Sequence, residues 1–206
     1  MDKPLNKRRK YQRLARLYDL LDLPFEFRRY QPMRREMWQG LKGDILDAGV
    51  GTGRNMAFYP EDARVTGIDL SAAMLAQAHI RKEKLGTDVT LMEADIMDTG
   101  LADDSFDAIV ASFLFCVLES DQQLPALREL GRICRPGSEI RILEYAISEN
   151  PMRRFVMALW APWVWLVYGA GFDRRTEEYV AKAGLDLVEV RYLFSDIVKM
   201  LVIRPR

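Results

Sequence analysis

Two cysteines and a single histidine are all that this 206-residue chain offers in the way of thiols and imidazole. Cys116 and Cys134 stand in apolar or helical context without metal-ligand spacing, so neither a disulfide framework nor a metal site is expected, and reduced thiols suit the cytosol. His79 lies mid-helix in LAQAHIRKEKL and reads as solvated rather than catalytic. Net charge is missing as well: Lys plus Arg and Asp plus Glu number 30 each, which gives no bulk attraction to nucleic acid or to an anionic membrane. The basic N-terminus MDKPLNKRRKYQRLARLYDLL is followed by no clean apolar segment or small-residue cleavage site, so it does not read as a secretory signal, and a cytoplasmic location is expected. Internal repeats and low-complexity segments are absent from the sequence.

What is present is an alternation. The length suits a single domain with a sizeable core. From Asp44 onward the strand candidates are DILDAG, ARVTGIDL, DVTLMEAD, FDAIVASF, EIRILEYA, LDLVEVRYL and IVKMLVIR. Ala72 to Leu85 reads as a helix with Ser71 as N-cap and Gly86 as stop. Gln122 to Cys134 reads as a second, closed by the turn RPGS, and Arg174 to Ala183 as a third, ended by Gly184. The pattern predicts an α/β fold with a mostly parallel seven-stranded sheet and helices on both faces. The last two strands are joined by only a few residues around Ser195 and Asp196, hairpin spacing that predicts an antiparallel last strand. Within residues 1–206 the parts are a basic N-terminal segment (1–43), a core (44–145), an insertion (146–173), and the last helix with the hairpin (174–206).

The stretch DILDAGVGTGRN carries a strand into a glycine turn, so backbone amides face whatever binds there, and Gly49, Gly51 and Gly53 let it approach closely. Asp69 ends the second strand twenty positions after Gly49, where a carboxylate can accept ribose hydroxyls. That spacing admits NAD or an adenosyl cofactor. Arg54 stands where the dinucleotide fingerprint needs its last glycine, and Asp47 places a negative charge that repels a pyrophosphate but suits an ammonium or sulfonium. Asp95 in MEADIMD ends the third strand, where an adenine amino group can be held while Ile96 and Met74 pack on the ring. These carboxylates end successive strands, the edge at which open α/β sheets bind ligands.

LDAGVGTG, VTGIDLSAAML, EADIMD, FDAIVASF and LRELGRICRPGSEIRI resemble successive motifs of the class I S-adenosylmethionine-dependent methyltransferases, which have a Rossmann-like fold. The resemblance covers Asp44 to Tyr145 closely and the hairpin end more loosely. It implies that Asp47, Gly49 and Gly51 border the methionine moiety, that Asp69 takes the ribose, and that Leu70 and Met74 flank the adenine. Asp95 and Ile96 would meet the adenine edge, and Ser112 the floor beneath the sulfonium.

The acceptor must be sought in the two segments outside the core. Lys7 to Leu21 fits a helix with Tyr11, Leu14, Ala15, Tyr18 and Leu21 on one face, and Lys7 to Arg35 carries ten basic residues against three acidic ones. Arg28, Arg29, Arg34 and Arg35 extend this basic surface, which suits either an anionic membrane or a solvated helix side. Phe155 to Phe172 runs eighteen residues without a charge, interrupted by Pro162 and rich in tryptophan. It reads as a broken apolar lid or interfacial patch, peripheral on the inner face of the membrane rather than spanning it. An amine acceptor must lose a proton, for which Tyr18, Glu144 and Tyr145 are the candidates. The chain is similar to bacterial phospholipid N-methyltransferases in its YD helix, GVGTG and basic start, which implies phosphatidylethanolamine as substrate. It is also similar to membrane-associated animal thiol methyltransferases in FYP, VTGID and CVL. Tyr145 stands where both groups tend to place histidine. A small-molecule quinone precursor, phenol or thiol is the alternative acceptor, and the sequence assigns no oligomeric state.

Overall fold

Strands buried on both faces need apolar residues at consecutive positions, and the run Ile45–Leu46 and the run Ala108–Ala111 supply them. A computed structural model describes residues 30–168 and 170–206, so the helix expected over Lys7 to Leu21 lies outside the described residues. The elements are α1 (Gln31–Trp38), β1 (Gly43–Ala48), β2 (Ala63–Asp69), α2 (Ala72–Leu85), β3 (Val89–Glu93), β4 (Phe106–Ser112) and α3 (Ser120–Ile133). They continue with β5 (Cys134–Tyr145), α4 (Pro151–Tyr168), α5 (Glu177–Val180), β6 (Leu185–Phe194) and β7 (Val198–Pro205). The strands form one seven-stranded sheet in the order β3-β2-β1-β4-β5-β7-β6. β1 pairs parallel with β2 and β4, while β7 runs antiparallel to both β5 and β6.

Alternation divides the core between the two faces. Leu46, Ile109, Ile142 and Leu201 pack with Leu127 and Leu130 of α3 on one side. Ile45, Val110, Leu143 and Met200 pack with Met37 and Trp38 of α1 and Leu75 and Ala78 of α2 on the other. α2 has the bounds its caps predict: Ser71 Oγ accepts from Met74 N at 3.4 Å, and Gly86 ends the helix at φ +63°. Glu119 and Gln122 form a capping box that starts α3.

Three local expectations are corrected. The RPGS segment lies within β5: Phe106 pairs with Cys134 and Ala108 with Glu139, so the residues between bulge out of the ladder without ending it. The helix expected from Arg174 shrinks to α5 and a 3-10 turn over Ala181–Ala183, still stopped by Gly184 at φ +82°. The lid is not broken at Pro162, because α4 continues through it from Pro151 to Tyr168. Among the described residues no helix is long and apolar enough to cross a membrane.

Candidate active site

The turn after β1 is laced to β2. Gly49 N and Val50 N both donate to Ile68 O, at 2.9 and 2.8 Å, and Gly51 N donates to Asp69 Oδ2 at 3.0 Å. Gly51 sits at φ +55°, and a Cβ there would meet only Gly49 O at 4.0 Å, so a side chain would project into open space. Gly53, at φ +80°, has a different reason: its Cβ would press Met56 and approach Ala78 Cα of α2 at 3.4 Å. Asp69 also accepts from Ser71 N at 2.8 Å, and desolvation holds its carboxyl above the usual range against these two amides.

A cavity of about 350 Å³ opens over the C-terminal ends of the strands, within the range of small-ligand pockets. Gly49, Gly51, Asp69, Leu70 and Met74 line it on one side. Asp95, Ile96, Ser112 and Tyr145 line it on the other. Asp95 is fixed by a local turn in which its Oδ1 accepts from Met97 N at 2.9 Å. Cys116 also lines it; its Sγ donates to Phe113 O at 3.0 Å, and burial pushes its thiol pKa up, which suits a wall and not a nucleophile. Tyr18 lies outside the described residues.

Asp47, Gly53 and Glu144 do not line the cavity. Asp47 is fully buried behind the turn, where Asn55 Nδ2 donates to its two oxygens at 2.9 and 3.1 Å and Tyr59 Oη to Oδ2 at 2.6 Å. Burial pushes its carboxyl up to about 6, against the pull of these bonds and of Arg34. Asn55, which lines the cavity, stands between: Arg34 donates to its Oδ1 at 2.7 Å, and Ser112 Oγ lies 3.3 Å from its Nδ2. Arg34 is therefore not part of an outer basic surface. It is 8% exposed, lines the cavity and covers the Phe113 ring at 5.7 Å.

Glu144 points to the opposite sheet face from Tyr145, as successive strand residues must. There Thr176 Oγ1 lies 2.6 Å from Glu144 Oε2 and 2.9 Å from Gln123 Oε1. Gln123 spends its amide protons on Phe115 O and Leu118 O, so its Oε1 accepts. A hydroxyl carries one proton, so both contacts of Thr176 are hydrogen bonds only when Glu144 is protonated and donates to it. Burial pushes Glu144 up to about 7, in agreement, while Lys199 Nζ sits 3.2 Å from its other oxygen and 2.6 Å from Glu177.

This cluster anchors the far end of the lid segment, helped by Gly171 N donating to Cys116 O at 2.8 Å. The near end is pinned to the β6–β7 turn, where Asp196 accepts from Ser148, Glu149 N and Arg153. Between the anchors Val164 lines the cavity, while Phe155, Leu159, Trp160 and Trp165 are each more than half exposed. Sequence reasoning does not find Tyr30, Asn55 and Phe113, and it places Arg34 on an outer surface. Phe113 stands directly after Ser112, and Asn55 two residues after Gly53, so position alone points to both.

Residues 45–137 match the methyltransferase domain family. Over 120 residues the chain is 34% identical to a phosphatidylethanolamine N-methyltransferase of Cereibacter sphaeroides, with 57% of this chain and 58% of that relative covered. The match therefore spans little more than half of that relative's length. Over 182 residues it is 30% identical to a demethylmenaquinone methyltransferase of Staphylococcus aureus strain JH9, with 83% of this chain and 73% of the relative covered. A geranyl diphosphate C-methyltransferase from Streptomyces coelicolor A3(2), solved with Mg2+, geranyl diphosphate and S-adenosyl-L-homocysteine, shares the fold at a TM-score of 0.69 and 16% identity, covering 88% of this chain and 81% of that one. The glycine turn over a strand-edge cavity and the match along most of a curated relative lead to one conclusion: the chain belongs to the S-adenosylmethionine-dependent methyltransferases.

Proposed function

We propose that the enzyme methylates the head-group nitrogen of phosphatidylethanolamine at a membrane surface. The observation that carries this reading is the continuity between cavity and lid. Val164 and Ala170 form cavity wall, and the same segment presents Phe155, Leu159, Trp160 and Trp165 outward, with Arg153 and Arg154 at its start. An apolar, tryptophan-rich face with a cationic end suits the interface of an anionic bilayer, which would bring a lipid head group to the cavity mouth. The likeness to a phosphatidylethanolamine N-methyltransferase supports the same acceptor.

The residues present fit the cofactor. S-adenosylmethionine supplies a methyl group already activated on a sulfonium. The open cradle at Gly51 and the loop amides suit its methionine part, and Asp69, with lone pairs left beyond its two amide bonds, suits the ribose. Leu70, Met74 and Ile96 would sandwich the adenine, with Asp95 at its edge and Ser112 below the sulfonium. Arg34 would meet the carboxylate. Asp47 would act through Asn55, and Gly53 through the turn. With the methyl activated, alignment and exclusion of water are what the protein adds.

Incubation with methyl-labelled cofactor and vesicles of phosphatidylethanolamine and an anionic lipid tests the reading. Label in the lipid fraction is expected, and label only on soluble acceptors would overturn it. A second reading, methylation of a quinone precursor, is supported by the demethylmenaquinone methyltransferase likeness over 83% of the chain; it predicts activity that persists without membranes.

A further inference from the structure

Tyr145, the last residue of β5, and Tyr30, just ahead of α1, meet over the cavity with their hydroxyl oxygens 2.8 Å apart. Both line it, so the contact ties residues 115 positions apart across the mouth. Phe113 supports both rings, at 5.2 Å from Tyr30 and 5.0 Å from Tyr145, and Phe172 closes on Tyr145 edge-on at 5.2 Å. Phe113 is held at φ +56°, with its N–H donating to Leu143 O at 2.7 Å. A bulky residue in that left-handed region is strained, and strain of this kind gathers where geometry serves a site. Ring packing on Phe113 alone does not need the two hydroxyls to meet, and here they are within hydrogen-bond distance in a cavity that Ser112 also lines.

We propose that the Tyr30–Tyr145 pair is a proton relay that converts the acceptor ammonium to the free amine; this rests on the reading of a lipid amine as substrate. The ammonium gives a proton to Tyr145 Oη as Tyr145 passes its own to Tyr30 Oη and half-buried Tyr30 releases its own to bulk water, which becomes hydronium, so both phenols end neutral. The freed lone pair forms the new N–C bond while the C–S bond breaks, its electron pair remaining on the sulfur of S-adenosylhomocysteine. The surroundings favour that deprotonation. Phe113, Val164 and Ala170 line the cavity with apolar surface, which disfavours the charged ammonium. Either hydroxyl can be the donor in the observed contact, as a relay requires.

Tyr145→Phe, Tyr30→Phe and the double variant keep the rings and remove only the hydroxyls. Each is assayed on phosphatidylethanolamine vesicles from pH 7 to 10, with cofactor affinity measured by calorimetry. The expected result at pH 7.5 is a loss in kcat of about 100-fold for Tyr145→Phe, with lipid KM and cofactor Kd unchanged. The double variant should be no worse than Tyr145→Phe, because one chain is broken in either case. The deficit should shrink as the pH rises toward that of the free amine, which a merely structural role would not do. A deficit independent of pH, or no deficit, would overturn the relay alone. Wild-type protein that leaves amine lipids unmethylated but methylates a demethylated quinone would overturn the lipid reading and the relay with it.

Discussion

At the glycine-turn end of the cavity two carboxylates are held by backbone amides: Asp69 by Gly51 N and Ser71 N, and Asp95 by Met97 N. At the lid end the surface is side chain and largely apolar, with Trp160 53% and Trp165 64% exposed on a helix anchored near its two ends. Backbone amides cannot be exchanged by substitution, so the first end suits a fixed ligand, the common methyl donor. The second end consists of replaceable side chains, and there relatives of one fold can diverge toward lipids or quinones.

Substitutions should separate the two ends. The largest effect is expected from Asp69→Ala, which removes the carboxylate that anchors the turn and lines the cavity, where it is proposed to take the ribose. Loss of charge-assisted hydrogen bonds there should weaken cofactor binding by on the order of 3 kcal/mol, about 100-fold in Kd by calorimetry, and leave vesicle binding intact. Arg34→Gln should weaken the cofactor about tenfold through one lost charge-assisted contact. At the other end, the double variant Trp160→Ala and Trp165→Ala should lower affinity for anionic vesicles about tenfold in a sedimentation assay and leave cofactor Kd unchanged. Weakened cofactor binding in that variant would break the division between the ends.

A further effect, read as a pH dependence, concerns the lid anchor. Glu144 is raised in the folded chain from 4.5 to about 7, so between those values the native state holds a proton that the unfolded chain releases. Its contribution is present below about pH 4.5 and lost as the pH rises through about 7, at roughly 1.4 kcal/mol per unit at most. Glu144→Gln should therefore flatten the fall in Tm between pH 5 and 7.5, and an unchanged slope would contradict the protonated anchor.

The sheet was legible because each buried strand is an apolar run between turn residues, and α2 because Ser71 and Gly86 mark its ends. The donor side was legible because glycines and strand-end carboxylates keep a fixed order along the chain. Arg34 was misread since charge pattern sees only neighbours in sequence, while its partner Asn55 lies 21 positions away. Asp47 looked like a cavity charge because sequence order does not show that Asn55 and Tyr59 fold over it. Glu144 and Tyr145 could not both enter the cavity, a limit that strand alternation already imposes. The positive φ of Phe113 had no sequence signal, since phenylalanine in a β-rich run reads as strand.

On the proposed reading, the donor end is generic and the lid end selects a lipid amine. The most direct test offers the enzyme one set of vesicles containing both phosphatidylethanolamine and a demethylated quinone, with cofactor carrying a deuterated methyl group, and weighs the products by mass spectrometry. Label on the head-group nitrogen is expected. Label on the quinone ring, with the amine lipid unchanged, would contradict it.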